Sequence, residues 1–202
     1  TPLYSSAASD VYKRQGLWEN VDPQDMASTD AWHEDPDTMF AWYLWRARLA
    51  QQAEPNAGHI AIARSPKTTV TTQNIDNLHE RAGSTEVVHL HGSLFEFRCS
   101  LCDEPYPHPI SFPEQPVAEI TPPACPMCNG PVRPGVVWFG EALPEAEWKE
   151  AERRMQTADA VVIVGTSGVV YPAAGLPLLA HSREIPIIEV TPLRTCLLYT
   201  SD

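Results

Sequence analysis

The sequence has no apolar run approaching the ~18 residues that a membrane-spanning helix needs, so no membrane partner is expected. It shows no basic start followed by an apolar stretch, so no secretory leader is expected and the chain reads as cytoplasmic. Positive charge is scarce: 14 Lys and Arg stand against 26 Asp and Glu, a formal net charge of −12. An acidic chain without a basic stripe is a poor ligand for phosphate backbones, so no nucleic-acid partner is expected. The same charge would speed encounter with a basic peptide. Glycine is sparse, 10 residues beside 20 prolines, which points to rigid turns. There is no internal repeat. Five cysteines are an odd number, and four of them are paired in sequence. A disulfide-stapled secreted fold is the wrong class for 202 residues of which 43% are hydrophobic. That hydrophobic content also argues against a disordered chain, and the length suits one domain with an inserted module.

The ends differ from the middle. Residues 1–15 (TPLYSSAASDVYKRQ) and 193–202 lack periodicity and convincing caps. They resemble translated adapter sequence and are read as non-native tails, with genuine disordered termini as the alternative. Cys196 falls in the second tail. Between them, residues 16–192 alternate helix-like and strand-like segments. A short helix capped by Ser28 and Thr29 is interrupted by Pro36, and an aromatic-rich helix covers Asp37–Gln52. A helix starts at Pro55 and runs to Arg64. Strands are expected at Thr68–Thr72, Val87–His91, Leu94–Arg98, Val136–Phe139, Ala160–Val164 and Ile185–Val190. Ala160–Val164 reads as a parallel strand buried on both faces. Asn77 with Glu80 resembles a capping box for a short helix ending at Gly83. Further helices are expected at Pro144–Gln156 and Pro172–His181. The pattern predicts an α/β fold, a Rossmann-like parallel sheet with a small zinc-ribbon module inserted at about 93–135.

The clearest chemistry is Cys99-Ser-Leu-Cys102 followed by Cys125-Pro-Met-Cys128. Two-residue gaps let both thiolates of a knuckle reach one ion, and two knuckles complete a tetrahedron with no position left for water. One structural Zn2+ is expected, with reduced thiols or a redox pair as alternatives. Gln73-Asn74-Ile75-Asp76 follows a predicted strand, where ligands of open α/β sheets bind; turn chemistry is the competing reading. His89 and His91 would share a strand face. A His beside Gly92 could serve as a general base, or could simply be packed. Gly165-Thr166-Ser167 after the apolar strand could approach a phosphate, or could make a tight turn. Tyr43 and Arg46 share a helix face, where phenol and guanidinium could grip a carboxylate. The competing reading is an arginine over an aromatic stripe.

Taken in order, these motifs resemble the sirtuin family of NAD-dependent protein lysine deacylases. The segments are TQNIDNLHERAG (Thr72 to Gly83), HLHG (His89 to Gly92), the paired cysteines, VVWFGE (Val136 to Glu141) and GTSGVVYPAAG (Gly165 to Gly175). The resemblance implies NAD and an acyl-lysine peptide in a cleft between the Rossmann-like domain and the zinc module. It assigns Gln73, Asn74, Ile75 and Asp76 to the nicotinamide and ribose pocket, and Gly165, Thr166 and Ser167 to a cofactor loop. It makes His91 the general base. Val137, Trp138, Phe139, Gly140 and Glu141 match the segment that pairs with substrate by strand addition. Tyr43 and Arg46 match the pair that marks removal of succinyl, malonyl and glutaryl groups, with deacetylation as a second activity. The implied products are nicotinamide, free lysine and O-acyl-ADP-ribose.

The match begins at Gly16, after the place of the family's glycine-rich loop, and Thr191-Pro192 follows Val190 where the family has a cofactor-contacting Asn. Little turnover is therefore expected from these residues alone. Two other readings compete: a non-catalytic zinc-containing module that binds acyl peptides, and a zinc-ribbon nucleic-acid binder, which the charge disfavours.

Overall fold

Helix α1 (Thr29–Glu34) starts because the Ser28 hydroxyl accepts the Ala31 N–H at 3.2 Å. Asp35 does the same for Thr38 at 3.0 Å, and Pro36 opens α2 (Pro36–Gln52). Pro36 thus begins a helix rather than only interrupting one, since the first turn needs no proline N–H. The cap of α3 (Ala57–Arg64) is Asn56, which binds the N–H groups of Gly58 and His59; Pro55 lies outside the helix. These elements come from a computed structural model, which describes residues 26–166 and 168–191. The two expected tails lie outside the described residues. Two compact units divide between Leu143 and Pro144.

In the first unit, β1 (Val70–Thr72) leads through a loop to α4 (Leu78–Arg81), then to β2 (Val87–His89), which pairs with β1 in parallel. The capping box expected at Asn77 is absent: the Asp76 carboxylate accepts the Leu78 N–H at 3.1 Å instead. β3 (Gly92–Cys99) and β4 (Val132–Val136) form an antiparallel pair that carries the cysteine segment between them. The strand expected at Val136–Phe139 therefore lies earlier. Beyond Val136 the chain turns, because the Val137 and Phe139 amides bond to the His91 and Ala27 carbonyls rather than to a ladder.

The core of this unit surrounds α2. Met39, Phe40, Trp42, Tyr43, Leu44, Ala47 and Ala50 are all buried, so the helix is apolar nearly all round. Trp138 packs on it, with ring centroids 5.4 Å from Trp32 and 6.3 Å from Tyr43.

The second unit contains α5 (Glu145–Thr157), β5 (Val161–Val164), α6 (Leu176–His181) and β6 (Ile187–Val190), with β5 and β6 parallel. Val161 and Ile163 pack against Ala180 and Met155, but Val162 and Val164 are exposed. The expectation of burial on both faces fails there, because among the described residues this strand pair is packed on one side only. Among the described residues no helix is long and apolar enough to cross a membrane.

Gly92 is the tightest point of the β3–β4 pair. Its φ is +72°, and a Cβ there would sit 1.9 Å from the Gly135 carbonyl oxygen. Gly92→Ala should destabilise the chain by about 2–4 kcal/mol or prevent folding; urea denaturation showing a loss below about 0.5 kcal/mol would disprove this packing.

Candidate functional site

The loop after β1 is held by its own backbone. Three successive carbonyls are engaged: Gln73 O by His91 Nδ1 at 3.0 Å, Asn74 O by His89 Nδ1 at 3.0 Å, and Ile75 O by the Leu94 N–H at 2.8 Å. The Asn74 N–H is bound by Thr72 Oγ1 at 3.0 Å. Gln73 and Asn74 are half-buried, while Asp76 is buried and spends its carboxylate on α4. Asp76 thus performs the turn chemistry that competed with the ligand reading, and the loop carries its other side chains on a fixed frame.

The two histidines use Nδ1 alike and differ at Nε2. A carbonyl only accepts, so Nδ1 of His91 carries the proton, and Nε2 keeps a lone pair when the ring is neutral. Burial lowers the His91 pKa below its ordinary value, against the opposing bond to Gln73, so the neutral form prevails at physiological pH. His89 Nε2 is instead taken by Glu80 Oε1 at 2.6 Å. Glu80 was not singled out as a partner in the sequence; nine residues separate it from His89, and only the return of β2 beside α4 brings them together.

On α2, Tyr43 is 1% exposed; the Trp138 side chain is the polar neighbour of its hydroxyl, and no acceptor for that hydroxyl lies among the described residues. Burial pushes the phenol up to about 12, against the pull of the Arg46 guanidinium. Arg46 lies 4.5 Å from the Trp42 ring centroid and 5.5 Å from that of Tyr43. The pair is adjacent as the helical spacing requires, and the arginine also rests on an aromatic stripe.

Val137 to Glu141 form a turn. The Glu141 N–H reaches the Trp138 carbonyl at 3.0 Å, and Gly140 has φ +89°. Trp138 is buried and Phe139 is half exposed. In the second unit, the Gly165 N–H bonds the Val190 carbonyl at 3.1 Å and the Gly168 N–H bonds Thr166 Oγ1 at 3.3 Å. Ser167 lies outside the described residues.

The four cysteines converge. Their sulfurs all lie within 4.8 Å of one another, with Cys99–Cys128 and Cys102–Cys128 at 3.4 Å and Cys102–Cys125 at 3.7 Å. Tetrahedral zinc with thiolates at ~2.3 Å has sulfur–sulfur edges of ~3.8 Å, close to this cage. Each knuckle turns an amide onto its first sulfur, Leu101 N–H to Cys99 and Met127 N–H to Cys125. With Val132 the buried cysteines form a small core of their own, against which Phe97, Tyr106 and Ile110 pack. Purified chain should contain one zinc, and chelation should lower its melting temperature; well under one zinc per chain, or no change on chelation, would remove the metal assignment.

Comparison with known proteins agrees with this geometry. The Sir2 family matches residues 5–172. The chain is 63% identical over 188 residues to NAD-dependent protein deacylase 2 of Corynebacterium efficiens, covering 90% of this chain and 74% of that one. It is 50% identical over 185 residues to NAD-dependent protein deacylase Sir2 of Mycolicibacterium smegmatis, covering 90% and 77%. Among solved structures, a Sir2 homolog–NAD complex superposes with a TM-score of 0.82 at 39% identity, covering 97% of this chain and 73% of that one. Sir2Tm bound to a propionylated peptide gives 0.74 at 30% identity, covering 88% and 76%. The fold is the Rossmann-like α/β architecture of these proteins with a four-cysteine cluster, and the chain belongs to the Sir2, or sirtuin, family.

Proposed function

We propose that this chain acts as an NAD-dependent protein-lysine deacylase, with a structural zinc ion at Cys99, Cys102, Cys125 and Cys128. The observation that carries the catalytic reading is the His91 bond to the Gln73 carbonyl, which fixes the tautomer with Nε2 as base. NAD supplies the acceptor for the acyl group and releases nicotinamide. Gln73, Asn74, Ile75 and Asp76 belong to the nicotinamide and ribose pocket, where a pinned backbone excludes water and needs no reorganisation. His91 Nε2 is the group that would take the proton of a ribose hydroxyl of bound NAD, making that oxygen the nucleophile. Gly165, Thr166 and Ser167 form the cofactor loop of this reading. With one water consumed, the products are free lysine, nicotinamide and O-acyl-ADP-ribose.

Two features support acidic acyl groups, succinyl, malonyl and glutaryl, with acetyl as a second substrate. Among the described residues no acceptor meets the buried Tyr43 hydroxyl, which leaves its proton to a ligand oxygen. Arg46 sits beside it with a guanidinium suited to a carboxylate. Phe139 on its turn would meet the lysine-bearing peptide. The amides of Val137, Trp138 and Phe139 are already bonded within the protein. Strand addition would thus fall to the carbonyls and to Gly140.

In a complete enzyme that carries these residues, His91→Ala should lower turnover by about 10²-fold or more with zinc content unchanged; near-normal turnover would refute the base role. Because burial depresses the His91 pKa, kcat/KM should hold as pH falls through 6.5 and drop only below it, through the depressed value. A loss centred above pH 6.5 would contradict this. Arg46→Met should weaken succinyl-lysine peptide binding about 10–100-fold through lost charge-assisted bonds. Acetyl-lysine peptide binding should change far less, and equal loss on both would sink the assignment.

A further inference from the structure

Arg133 is a charged residue in a strand, and it is 6% exposed. All of its described bonds run to the turn that follows β4. Both of its terminal nitrogens bind the Glu141 carboxylate, Nη2 to Oε2 at 2.9 Å, and Nη2 also binds the Val136 carbonyl at 2.8 Å. Its guanidinium lies over the Trp138 ring. Glu141 completes the circuit: its Oε2 accepts the Trp138 N–H at 2.7 Å, while its own N–H donates to the Trp138 carbonyl at 3.0 Å. The four residues Trp138 to Glu141 are therefore closed on themselves by one carboxylate. Gly140 supplies the positive φ of the turn, and Phe139 stands at its tip, 50% exposed.

A buried ion pair is poor economy if stability is its only purpose. Two apolar residues of similar volume often stabilise as well or better, whereas removing one charge of a pair leaves the other stranded. What the pair does supply is geometry. A bidentate guanidinium fixes the carboxylate plane, and the carboxylate then fixes the Trp138 amide. The side chain of Glu141 is also fully engaged inward, which leaves it ill placed to bind anything else.

We propose that Arg133 and Glu141 are positioning residues, an internal clip that locks the Trp138–Glu141 turn and holds Phe139 out for the substrate chain, with Glu141 making no substrate contact of its own. The proposal rests on the reading of this turn as the acyl-lysine peptide site.

The test uses the whole chain and a fluorescent acetyl-lysine peptide, with affinity read by anisotropy and stability by thermal melting. Arg133→Met and Glu141→Leu should each lower the melting temperature and weaken the peptide about tenfold or more. The double variant R133M/E141L should regain most of the melting temperature, since no charge is stranded, yet keep the weakened affinity. Phe139→Ala should weaken binding in the unsubstituted chain and add little in the double variant, where Phe139 is no longer held. If either single variant fails to fold, the double variant decides the question. Recovery of affinity together with stability in the double variant would overturn the clip and leave a purely structural pair. Unchanged affinity in the folded single variants would overturn it as well. Failure of the unsubstituted chain to bind the peptide, or an unchanged affinity in Phe139→Ala, would instead remove the underlying reading of the turn, and the clip with it.

Discussion

The register of β3 against β4 is the constraint on which the first unit depends. Cys99 stands opposite Val132 at one end of this ladder, and Gly92 stands opposite Val136 at the other. The first end opens into the cysteine cluster, and the second adjoins His91 and the Trp138 turn. Pairing these strands places Val132 in the small cysteine core and Trp138 in the aromatic core around α2. A slip of one residue would turn each side chain to the opposite face. The irregularity between Gly92 and Phe97 lets the strand meet both ends. The close approach of Gly92 to the Gly135 carbonyl is the cost of that fit. The cysteine cluster and His91 thus lie at two ends of one structural element, the strand Gly92–Cys99.

Much of this was legible in the sequence, for identifiable reasons. The cysteine spacing expresses the geometry of an ion directly, and the sulfurs converge as that spacing requires. The long helix was legible because its aromatics leave it no exposed face. Boundaries were missed where a side chain competed with the expected cap or ladder. Asp76, rather than Asn77, caps α4, since either residue type can do so and only the path of the loop decides. Of the strand expected at Val136–Phe139, Val136 ends β4, Trp138 serves the aromatic core instead of a ladder, and Phe139 makes only an isolated bridge to Ser28. Val162 and Val164 looked like core in an apolar run, and no local pattern states how many faces of a strand will be covered.

The candidate site was legible in kind more than in arrangement. Spacing put His89 and His91 on one face, and both rings do reach the same loop. It could not show that the bonds run to consecutive backbone carbonyls, since a carbonyl leaves no trace in the sequence. Arg133 was missed for a related reason. An arginine before a proline in a polar, proline-rich stretch reads as solvated, and its burial follows only from the pairing of β4 with β3. The long-range pairs Arg133–Glu141 and Glu80–His89 are both closed by chain reversals.

The two imidazoles show how little separates a scaffold residue from a reactive one. Both give Nδ1 to a carbonyl of the loop after β1. His89 then meets a carboxylate at its other nitrogen, so both of its nitrogens are engaged within the protein. His91 meets no acceptor at Nε2 among the described residues, and burial holds it neutral. The same residue type with the same first bond is an anchor in one case and the proposed base in the other, and the difference lies in the single atom that stands opposite Nε2. The anchor also serves its neighbour: by fixing the Asn74 carbonyl, His89 fixes the peptide next to the one that orients His91. A proton acceptor held by its neighbour's backbone needs no rearrangement at the moment of transfer, which is the condition under which electrostatic preorganisation contributes most to a rate.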